Sequence, residues 1–316
     1  MSPPPLVTIV TPAYNSAAFI GETIAAALAQ TCADFELIVV DDGSTDGTIE
    51  AVHAAANGDA RVIVLRASHG GPAAARNTAF DVARGQFIAL LDSDDVWMPH
   101  YLASQIALLE RFPHTAIVTA NAINHGGPLD GRPIWRSTLG WRALSLLDLI
   151  REEDAVCIMT VFRRAVIDRI GGIDPRFTGN EDYEFWLRAA HAGFGILQHH
   201  RPLGYYRRRE GSVSADDTRM LDGIVSVLGH ASQMPGLGER ERTAIGKQIE
   251  RFRQEKVKVQ MRSSLAKNDA ATAALGLKTL SELRGSLCLS IAARLSMTWP
   301  DLLLRAYDWR RALRAQ

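Results

Sequence analysis

The sequence has no excess of charge of either sign. Its 35 Lys and Arg balance its 35 Asp and Glu, so the formal net charge is zero. A protein that binds nucleic acid through the phosphate backbone needs a basic excess, and this composition therefore excludes a general nucleic-acid binder. Any recognition of phosphate must come from a local cluster of basic side chains.

Cysteine is scarce, and Cys32, Cys157 and Cys288 form no CxxC pair. Their spacing argues against a disulfide framework or a zinc knuckle and suits a reducing compartment. The N-terminus MSPPPLVTIV lacks the basic and long apolar regions of a signal peptide. The apolar stretch SLCLSIAARLSMTW is interrupted by Arg294 and is too short to span a bilayer. We therefore expect a cytoplasmic protein.

Five short runs of β-branched and apolar residues occur in the first 120 residues, with helical patterns between them. The runs are LVTIVT, FELIVV, RVIVL, FIALL and TAIVTA. They are typical of strands buried on both faces, and their alternation with helices predicts an α/β fold with a mostly parallel sheet flanked by helices. Ligands of such sheets bind at the carboxyl ends of the strands.

An acidic cluster follows the fourth run, in the sequence LLDSDDVWMP. It does not fit a calcium loop, because Trp97 stands where such a loop needs glycine. Two interpretations remain open at this point. The cluster is either a solvated turn that caps the next helix, or Asp92 and Asp94 share Mg²⁺ or Mn²⁺ with substrate phosphates.

Turn-forming motifs also follow the second and third runs. In DDGSTDGT, Asp41 and Asp42 could accept hydrogen bonds from a ribose or a base; the alternative is a turn capped by Asp46. HGGPAAARN is neither a Walker loop nor GxGxxG. Its glycines still allow close backbone approach, and Arg76 could contact a base or a phosphate.

Two further clusters lie in the second half of the chain. GNEDYEFWLRAAHAG places Glu181, Asp182 and Glu184 in the first turn of a helix, where acids stabilise the helix dipole. Asp182 could also act as a general base on a hydroxyl nucleophile. GYYRRREGSVS carries three arginines at 207–209, either on an exposed strand edge or as a clamp for a diphosphate.

The order of these motifs resembles that of the family-2 inverting glycosyltransferases of GT-A fold. TPAYN, QTCADFELIVVDDGSTDGT, GGPAAARNTA, ARGQFIALLDSDDVWMP and IGGIDPRFTGNEDYEFWLRAAHAG follow one another at compatible spacings, and the match covers about residues 6–213. The resemblance implies transfer of a sugar from a nucleotide-diphospho-sugar (UDP-, GDP- or dTDP-linked) to a saccharide or lipid-linked acceptor, in bacterial surface polysaccharide or glycolipid synthesis.

The resemblance also assigns roles to matching residues. Asp92 and Asp94 match the DxD pair that binds Mn²⁺ or Mg²⁺, and Asp182 matches the catalytic base, with Glu181 beside it. Together with the basic cluster, it gives the following expected substrate-binding residues: Thr11, Ala13, Tyr14, Asp41, Asp42, Arg76, Ser93, Asp95, Arg207 and Arg209.

Two features depart from the family pattern. Arg209 stands where many relatives carry a histidine that approaches the metal, and arginine has no lone pair to ligate a metal. Water, His199 or His200 are the alternatives for that position. The QxxRW motif of processive members is absent, which favours addition of a single sugar over polymerisation.

We expect a catalytic domain over residues 1–213, with a nucleotide-binding half at about 1–120 and an acceptor half at about 121–213, followed by an α-helical region over 214–316. Residues 121–140 have the composition of a loop over the site. The C-terminal region predicts several helices, among them 241–262, 267–283 and 300–314.

The last predicted helix carries one apolar stripe. Leu302, Ala306, Trp309 and Leu313 lie along it, with arginines elsewhere. The favoured interpretation is packing on the catalytic domain or on a second copy of the chain in a homodimer. The alternative is an interfacial helix that makes peripheral contact with the inner face of the cell membrane, near a lipid-linked acceptor.

Two other functions share these features. A metal-dependent nucleotidyltransferase also combines an α/β sheet, aspartates and a metal, but it would carry a Gly-rich basic loop after the first strand, where this chain has TPAYNSAAF. A non-catalytic nucleotide-sugar-binding relative would have no use for a base at Asp182.

Overall fold

The computed structural model describes residues 3–209, 217–299 and 301–314. Its strands are β1 (Val7–Ala13), β2 (Phe35–Asp41), β3 (Val62–Arg66), β4 (Phe87–Leu90), β5 (Val96–Trp97), β6 (Thr115–His125), β7 (Trp141–Leu144), β8 (Thr160–Arg163) and β9 (Gly195–Arg207). Its helices are α1 (Ile20–Leu28), α2 (Thr48–Ala56), α3 (Pro72–Val82), α4 (Tyr101–Arg111), α5 (Leu146–Arg151), α6 (Ala165–Ile170), α7 (Glu181–His191), α8 (Asp217–Ala231), α9 (Glu239–Ala266), α10 (Ala270–Arg284), α11 (Leu287–Thr298) and α12 (Asp301–Arg314), with a 3₁₀ turn at Gly127–Leu129.

The strands form one mixed sheet in the order β3-β2-β1-β4-β8-β6-β9-β5, and β7 pairs with β9. The first half, β3-β2-β1-β4, is parallel throughout, as the alternation of strands and helices predicts. In the second half, β8 lies antiparallel between β4 and β6, so the fifth apolar run does not neighbour the fourth. The carboxyl ends of β1, β2 and β4 therefore meet at one edge.

Helices cover both faces of the sheet, which explains why the strands are apolar without alternation. Val10 and Ile38 face the layer that contains α3, α5 and α7. Ile9 and Leu37 face the layer that contains α1, α2 and α4. Because both faces of the central strands are buried, their successive residues are mostly apolar, and polar residues concentrate at the strand ends.

The predicted loop at 121–140 is only partly a loop. Residues 121–125 continue β6, which pairs in parallel with β9 as far as His125. The following segment is tied back to that strand: the side chain of Asn121 donates to the carbonyls of Trp135 and Ser137, and the backbone N–H of Asn124 donates to Arg132 O. The polar composition of residues 121–140 did not indicate that Asn121 is buried in a strand.

The C-terminal region is helical, as expected. Helices α9, α10 and α12 correspond to the three predicted helices, whereas α8 and α11 are additional. Ile224 of α8 and Phe252 of α9 belong to the same apolar core as α3 and α7, so these helices pack directly on the sheet domain. The predicted boundary at 213 to 214 lies outside the described residues.

The predicted apolar stripe of α12 is not its packed side. Leu302 is 48 % exposed and Ala306 is exposed, while Leu303 and Tyr307 are half-buried. Helix α12 contacts α9, α10 and α11. The side chains of Trp309 and Leu313 lie outside the described residues.

We found no single helix in the described ranges that has the length and apolarity needed to cross a bilayer. The segments Leu287–Thr298 and Asp301–Asp308 meet that requirement only when counted together, and they bend by 111° at their junction.

Candidate active site

An arginine joins the acidic residues of two distant motifs. Arg76 projects from α3, and its side chain is only 4 % exposed. One terminal nitrogen donates to Asp92 Oδ1 at 2.6 Å, after β4, and the other donates to Glu181 Oε1 at 2.9 Å, at the start of α7. Although burial alone would lower the pKa of the Arg76 guanidinium, Asp92 and Glu181 hold it above its ordinary value. The structure thus brings DSDD and the NED motif to one centre.

The two acids at the start of α7 have different surroundings. Both oxygens of Glu181 are engaged, one by Arg76 and the other by the backbone N–H of Gly179 at 2.7 Å. Asp182 is half-buried, and its Oδ1 accepts from its neighbour's backbone N–H, Tyr183 N, at 2.8 Å. Burial, with the neighbouring Glu181 charge, raises the pKa of Asp182 to about 7. A carboxyl group with this pKa can accept a proton near neutral pH.

A second arginine contacts the other carboxylate of the DxD pair. Arg209 Nε donates to Asp94 Oδ2 at 2.8 Å, and the guanidinium lies 5.4 Å from the ring centroid of Phe19. Arg207 lies over the same ring at 5.1 Å. It donates to Asp94 O and to Glu22 Oε2 at 2.8 and 2.6 Å, so α1 orients both arginines.

Arg208, the middle arginine of the run, points elsewhere. Arg208 is exposed, donates to Asn124 Oδ1 at 2.8 Å, and lies over the ring of Tyr206. Successive residues of an extended chain point to opposite sides, which separates Arg208 from its neighbours. Only Arg207 and Arg209, the two that were expected to bind substrate, face the aspartates.

Ser93 and Asp95 lie inside the turn that holds the DxD pair. Ser93 is 8 % and Asp95 is 1 % exposed. Thr23 Oγ1 donates to both backbone carbonyls at 3.1 and 2.9 Å, and Asp95 Oδ1 accepts from Arg207 N at 2.9 Å. These contacts fix the turn between α1 and β9.

Asp94 and Asp95 have raised pKa values although arginines lie beside them. Burial raises the pKa of Asp94, and the Asp92 charge raises it further, despite the opposing effect of Arg209. Burial, with the charges of Asp92 and Asp94, raises the pKa of Asp95 well above its ordinary value. Carboxylate oxygens are the ligands that Mg²⁺ and Mn²⁺ prefer, and each aspartate has a second oxygen besides the one that its arginine contacts, so Asp92 and Asp94 fit a divalent cation.

In the part of the chain that the structure describes, the two candidate histidines have other partners than this pair. His199 Nδ1 contacts Gln105 Oε1 of α4 at 2.9 Å, and His200 contacts Leu139 O and Gln198 Oε1. Neither histidine is grouped with Asp92 and Asp94 here, and of the three alternatives this arrangement favours water. Within the described residues, no group of three or more His, Cys, Asp or Glu side chains is arranged to hold a metal.

The ends of β1 and β2 form the wall beside this centre. Thr11 and Ala13 are buried in β1, and Asp41 ends β2 opposite Ala13. Tyr14 is 44 % exposed and stacks on His69, with ring centroids 4.2 Å apart. A stacked aromatic pair at this edge can accept a nucleobase. His69 was not singled out from the sequence; its position before the two glycines of HGG was the available signal.

Asp42 organises the glycine-rich turn before α3. Its two oxygens accept from Gly70 N and Gly71 N at 2.8 and 2.9 Å, and Gly71 has a φ of +84° that favours glycine. Asp46 provides the predicted capping turn, since it accepts from Thr48 N at 3.0 Å. Asp42 is therefore engaged by backbone, whereas Asp41 accepts from Ser44 N at 3.2 Å through one oxygen.

The fold and this centre define an α/β enzyme with acidic groups at the carboxyl ends of its strands. Comparison with known families identifies the class further. The model of glycosyl transferase family 2 matches residues 8–171, and the chain belongs to this family. The prediction of a GT-A glycosyltransferase is confirmed, and the nucleotidyltransferase alternative is not supported.

Individual relatives agree with this assignment. A putative teichuronic acid biosynthesis glycosyltransferase of Bacillus subtilis is 29 % identical over 67 % of this chain and 82 % of its own length. A UDP-Glc:α-D-GlcNAc-diphosphoundecaprenol β-1,3-glucosyltransferase of Escherichia coli is 29 % identical over 71 % of this chain and 85 % of its own length.

A solved mannosyltransferase from Pyrobaculum calidifontis, in complex with GDP-Man and Mn²⁺, has a similar fold. It aligns with a TM-score of 0.64 at 21 % identity and covers 98 % of this chain and 86 % of its own. The likeness therefore extends over the C-terminal helices as well as the sheet. The mannosyltransferase, like the relatives named above, is a sugar transferase. The present chain is a glycosyltransferase of the same fold.

Proposed function

We propose that this chain is a metal-dependent, inverting glycosyltransferase that moves one sugar from a nucleotide-diphospho-sugar to an acceptor hydroxyl. The observation that carries the proposal is the Arg76 bridge, which joins the DxD aspartate Asp92 to the acids at the start of α7. The leaving diphosphate and the attacking hydroxyl must bind at neighbouring positions. The bridge holds the aspartate proposed for the diphosphate close to the acids proposed for the hydroxyl.

The donor binds at the ends of β1, β2 and β4 in this proposal. The nucleobase stacks at Tyr14 and His69, with Thr11, Ala13 and Asp41 along the pocket, and the diphosphate extends toward Asp92 and Asp94. The Escherichia coli relative is named for UDP-Glc, and the solved mannosyltransferase is in complex with GDP-Man. We propose a UDP-, GDP- or dTDP-linked sugar for this chain.

Asp92 and Asp94 are the residues that would hold Mn²⁺ or Mg²⁺, with water completing its shell. A cation bound there would neutralise charge on the leaving diphosphate. Arg207 and Arg209 lie at the same end of the cleft and would add positive charge to it, because guanidinium groups pair well with phosphate oxygens. The buried Arg76, Ser93, Asp42 and Asp95 would act by fixing this geometry.

Asp182 is the proposed base, and Glu181 positions Arg76. Glu181 has both oxygens engaged, whereas Asp182 has a pKa of about 7 and accepts one backbone hydrogen bond through Oδ1. Asp182 removes the proton from the acceptor hydroxyl, whose oxygen then attacks the anomeric carbon as the bond to the diphosphate breaks. Attack from the side opposite the leaving group inverts the configuration.

The acceptor is proposed to be a saccharide or lipid-linked hydroxyl in bacterial surface polysaccharide or glycolipid synthesis, as in the relatives. Helix α11 and its junction with α12 support contact with an anionic membrane surface. Their apolar side chains stand exposed, namely Leu287, Ile291, Leu295, Trp299 and Leu302. Residues 284–316 carry six arginines against two aspartates, which complements acidic lipid.

A thermal-shift panel of UDP-, GDP- and dTDP-sugars, with and without Mn²⁺, tests the donor and the cation together. We expect metal-dependent stabilisation by one donor, loss of that stabilisation in Asp94→Ala, and its retention in Asp182→Asn. A non-catalytic relative would bind the donor but form no product with any acceptor hydroxyl offered. Stabilisation of Asp94→Ala equal to that of the parent would contradict the proposed cation site.

A further inference from the structure

Arg209 binds the same carboxylate that is proposed to hold the cation. Its Nε lies 2.8 Å from Asp94 Oδ2, and the Arg209 side chain is 33 % exposed while that of Asp94 is 17 % exposed. A guanidinium and a divalent cation both need this oxygen's negative charge. Binding of the cation at Asp94 therefore weakens this ion pair, because the cation draws on the charge of the same carboxylate.

The other arginines at the centre are held by more partners. Arg76 is 4 % exposed and spans two carboxylates. Arg207 donates through its backbone N–H to Asp95 and through its side chain to Asp94 O and Glu22. Among the described residues, Arg209 donates to Asp94 and otherwise lies over Phe19. Arg209 is thus the arginine that can exchange its partner at the smallest cost.

We infer that Arg209 occupies Asp94 in the empty enzyme, yields it when Mn²⁺ or Mg²⁺ binds, and then pairs with the diphosphate of the donor. This inference rests on the proposed function, because it takes Asp92 and Asp94 as the cation ligands. No covalent bond changes: one carboxylate exchanges a guanidinium for a cation, and the guanidinium exchanges a carboxylate for a phosphate oxygen.

The exchange couples the two ligands of the site. A cation that arrives alone must compete with Arg209 and leaves the guanidinium without an anionic partner. A cation that arrives with a nucleoside diphosphate supplies that partner at once. The affinity for the cation should therefore rise when the nucleotide is present, and by linkage the affinity for the nucleotide should rise equally when the cation is present.

Substitution of Arg209 distinguishes this exchange of partners from a basic patch that only attracts the diphosphate. We expect Arg209→Ala to bind Mn²⁺ alone more tightly than the parent, by about fivefold, the effect of removing one partly exposed ion pair. The same variant should lose nucleotide affinity and most of the coupling. Arg209→Gln, which keeps the side-chain length, serves as a second neutral variant, and Arg209→Lys should behave more like the parent.

Arg208→Ala is the matched control, because Arg208 is adjacent in sequence but binds Asn124 and faces away from Asp94. Free Mn²⁺ is measured by electron paramagnetic resonance, first with metal alone and then with UDP, GDP and dTDP in turn. The expected pattern is tighter metal-only binding for the two neutral variants and no change for Arg208→Ala. Activity is not needed for this readout.

The outcomes distinguish the inference from the proposed function. If the parent binds Mn²⁺ with a nucleotide but Arg209→Ala and Arg209→Gln bind metal alone no better than the parent, Arg209 is not a competitor and the inference is overturned. If the parent binds no Mn²⁺ with any of the three nucleotides, the proposed cation site itself fails, and the inference fails with it.

Discussion

Replacement of Asp182 by Asn tests the proposed chemistry most directly. Asparagine keeps the size of the side chain and an oxygen that can accept the Tyr183 N–H hydrogen bond of 2.8 Å, but it cannot take up a proton. Loss of a positioned general base lowers a rate by about 10²- to 10⁴-fold. We expect the variant to bind donor and cation as the parent does and to transfer sugar that much more slowly.

The pKa of Asp182 adds a pH dependence to this prediction. Burial and Glu181 raise that pKa from 3.8 to about 7, against the opposing effect of Arg76. A base works only when deprotonated, so kcat/KM should rise with pH, pass half of its maximum near pH 7 and level off above about pH 8. A bound cation favours the carboxylate and moves the inflection to lower pH.

The same pKa predicts the stability of the metal-free protein. Between about pH 4 and pH 7 the folded state holds a proton on Asp182 that the unfolded chain has released, so the free energy of unfolding falls as pH rises through this window. At about 1.4 kcal/mol per pKa unit, the loss has an upper limit of about 4 kcal/mol. Asp182→Asn removes this loss and should stabilise the protein more at pH 8 than at pH 5.

Urea unfolding in the presence of EDTA at pH 5 and pH 8 measures the effect on stability. Steady-state kinetics from pH 5 to 9 measures the effect on kcat/KM. Asp168→Asn is the matched control, because Asp168 is an exposed acid in the first turn of α6. Transfer by Asp182→Asn at the parental rate would show that another group takes the proton. Equal effects of the variant on stability at pH 5 and pH 8 would refute the raised pKa.

Two further predictions concern the buried bridge and the exposed helix. Arg76→Met leaves Asp92 and Glu181 without their buried partner, and we expect the free energy of unfolding in urea to fall by about 3–5 kcal/mol. The exposed Arg176→Met should lower it by less than about 0.5 kcal/mol. Equal losses for the two variants would contradict the bridge. Ile291→Asp should reduce co-sedimentation with vesicles of phosphatidylglycerol and phosphatidylcholine, whereas Val82→Asp, an exposed apolar site on α3, should not; unchanged binding would reject α11 as the contact.

Much of the first half of the fold follows from the sequence. The five apolar runs correspond to β1, β2, β3, β4 and β6, because a strand buried on both faces must be apolar throughout. The insertion of β8 between β4 and β6 could not be read, since pairing between strands distant in the chain leaves no local pattern. Helix α8 lies in the region predicted to be helical, but its bounds were not given, although Val227 and Leu228 are fully buried in the core.

The predicted site residues come from the ends of separate strands, which the parallel topology brings together. The sequence did not indicate which carboxylates each arginine would engage. Arg76 was expected at the nucleotide, but it lies buried between Asp92 and Glu181. Phe19 and Glu22, which orient Arg207 and Arg209, precede them by more than 180 residues and carry no motif of their own.

The difference in burial between Arg76 and Arg209 bears on how such a centre can bind and release its ligands. A buried guanidinium that spans two carboxylates is costly to move, so we expect Arg76 to keep Asp92 and Glu181 in place throughout a turnover. A partly exposed ion pair is worth about 1 kcal/mol or less, so we expect Arg209 to leave Asp94 and return to it. After transfer, the return of Arg209 to Asp94 would favour departure of the cation and the nucleoside diphosphate together. In the proposed mechanism, one arginine therefore maintains the geometry of the acids, while the other makes occupancy of the site reversible.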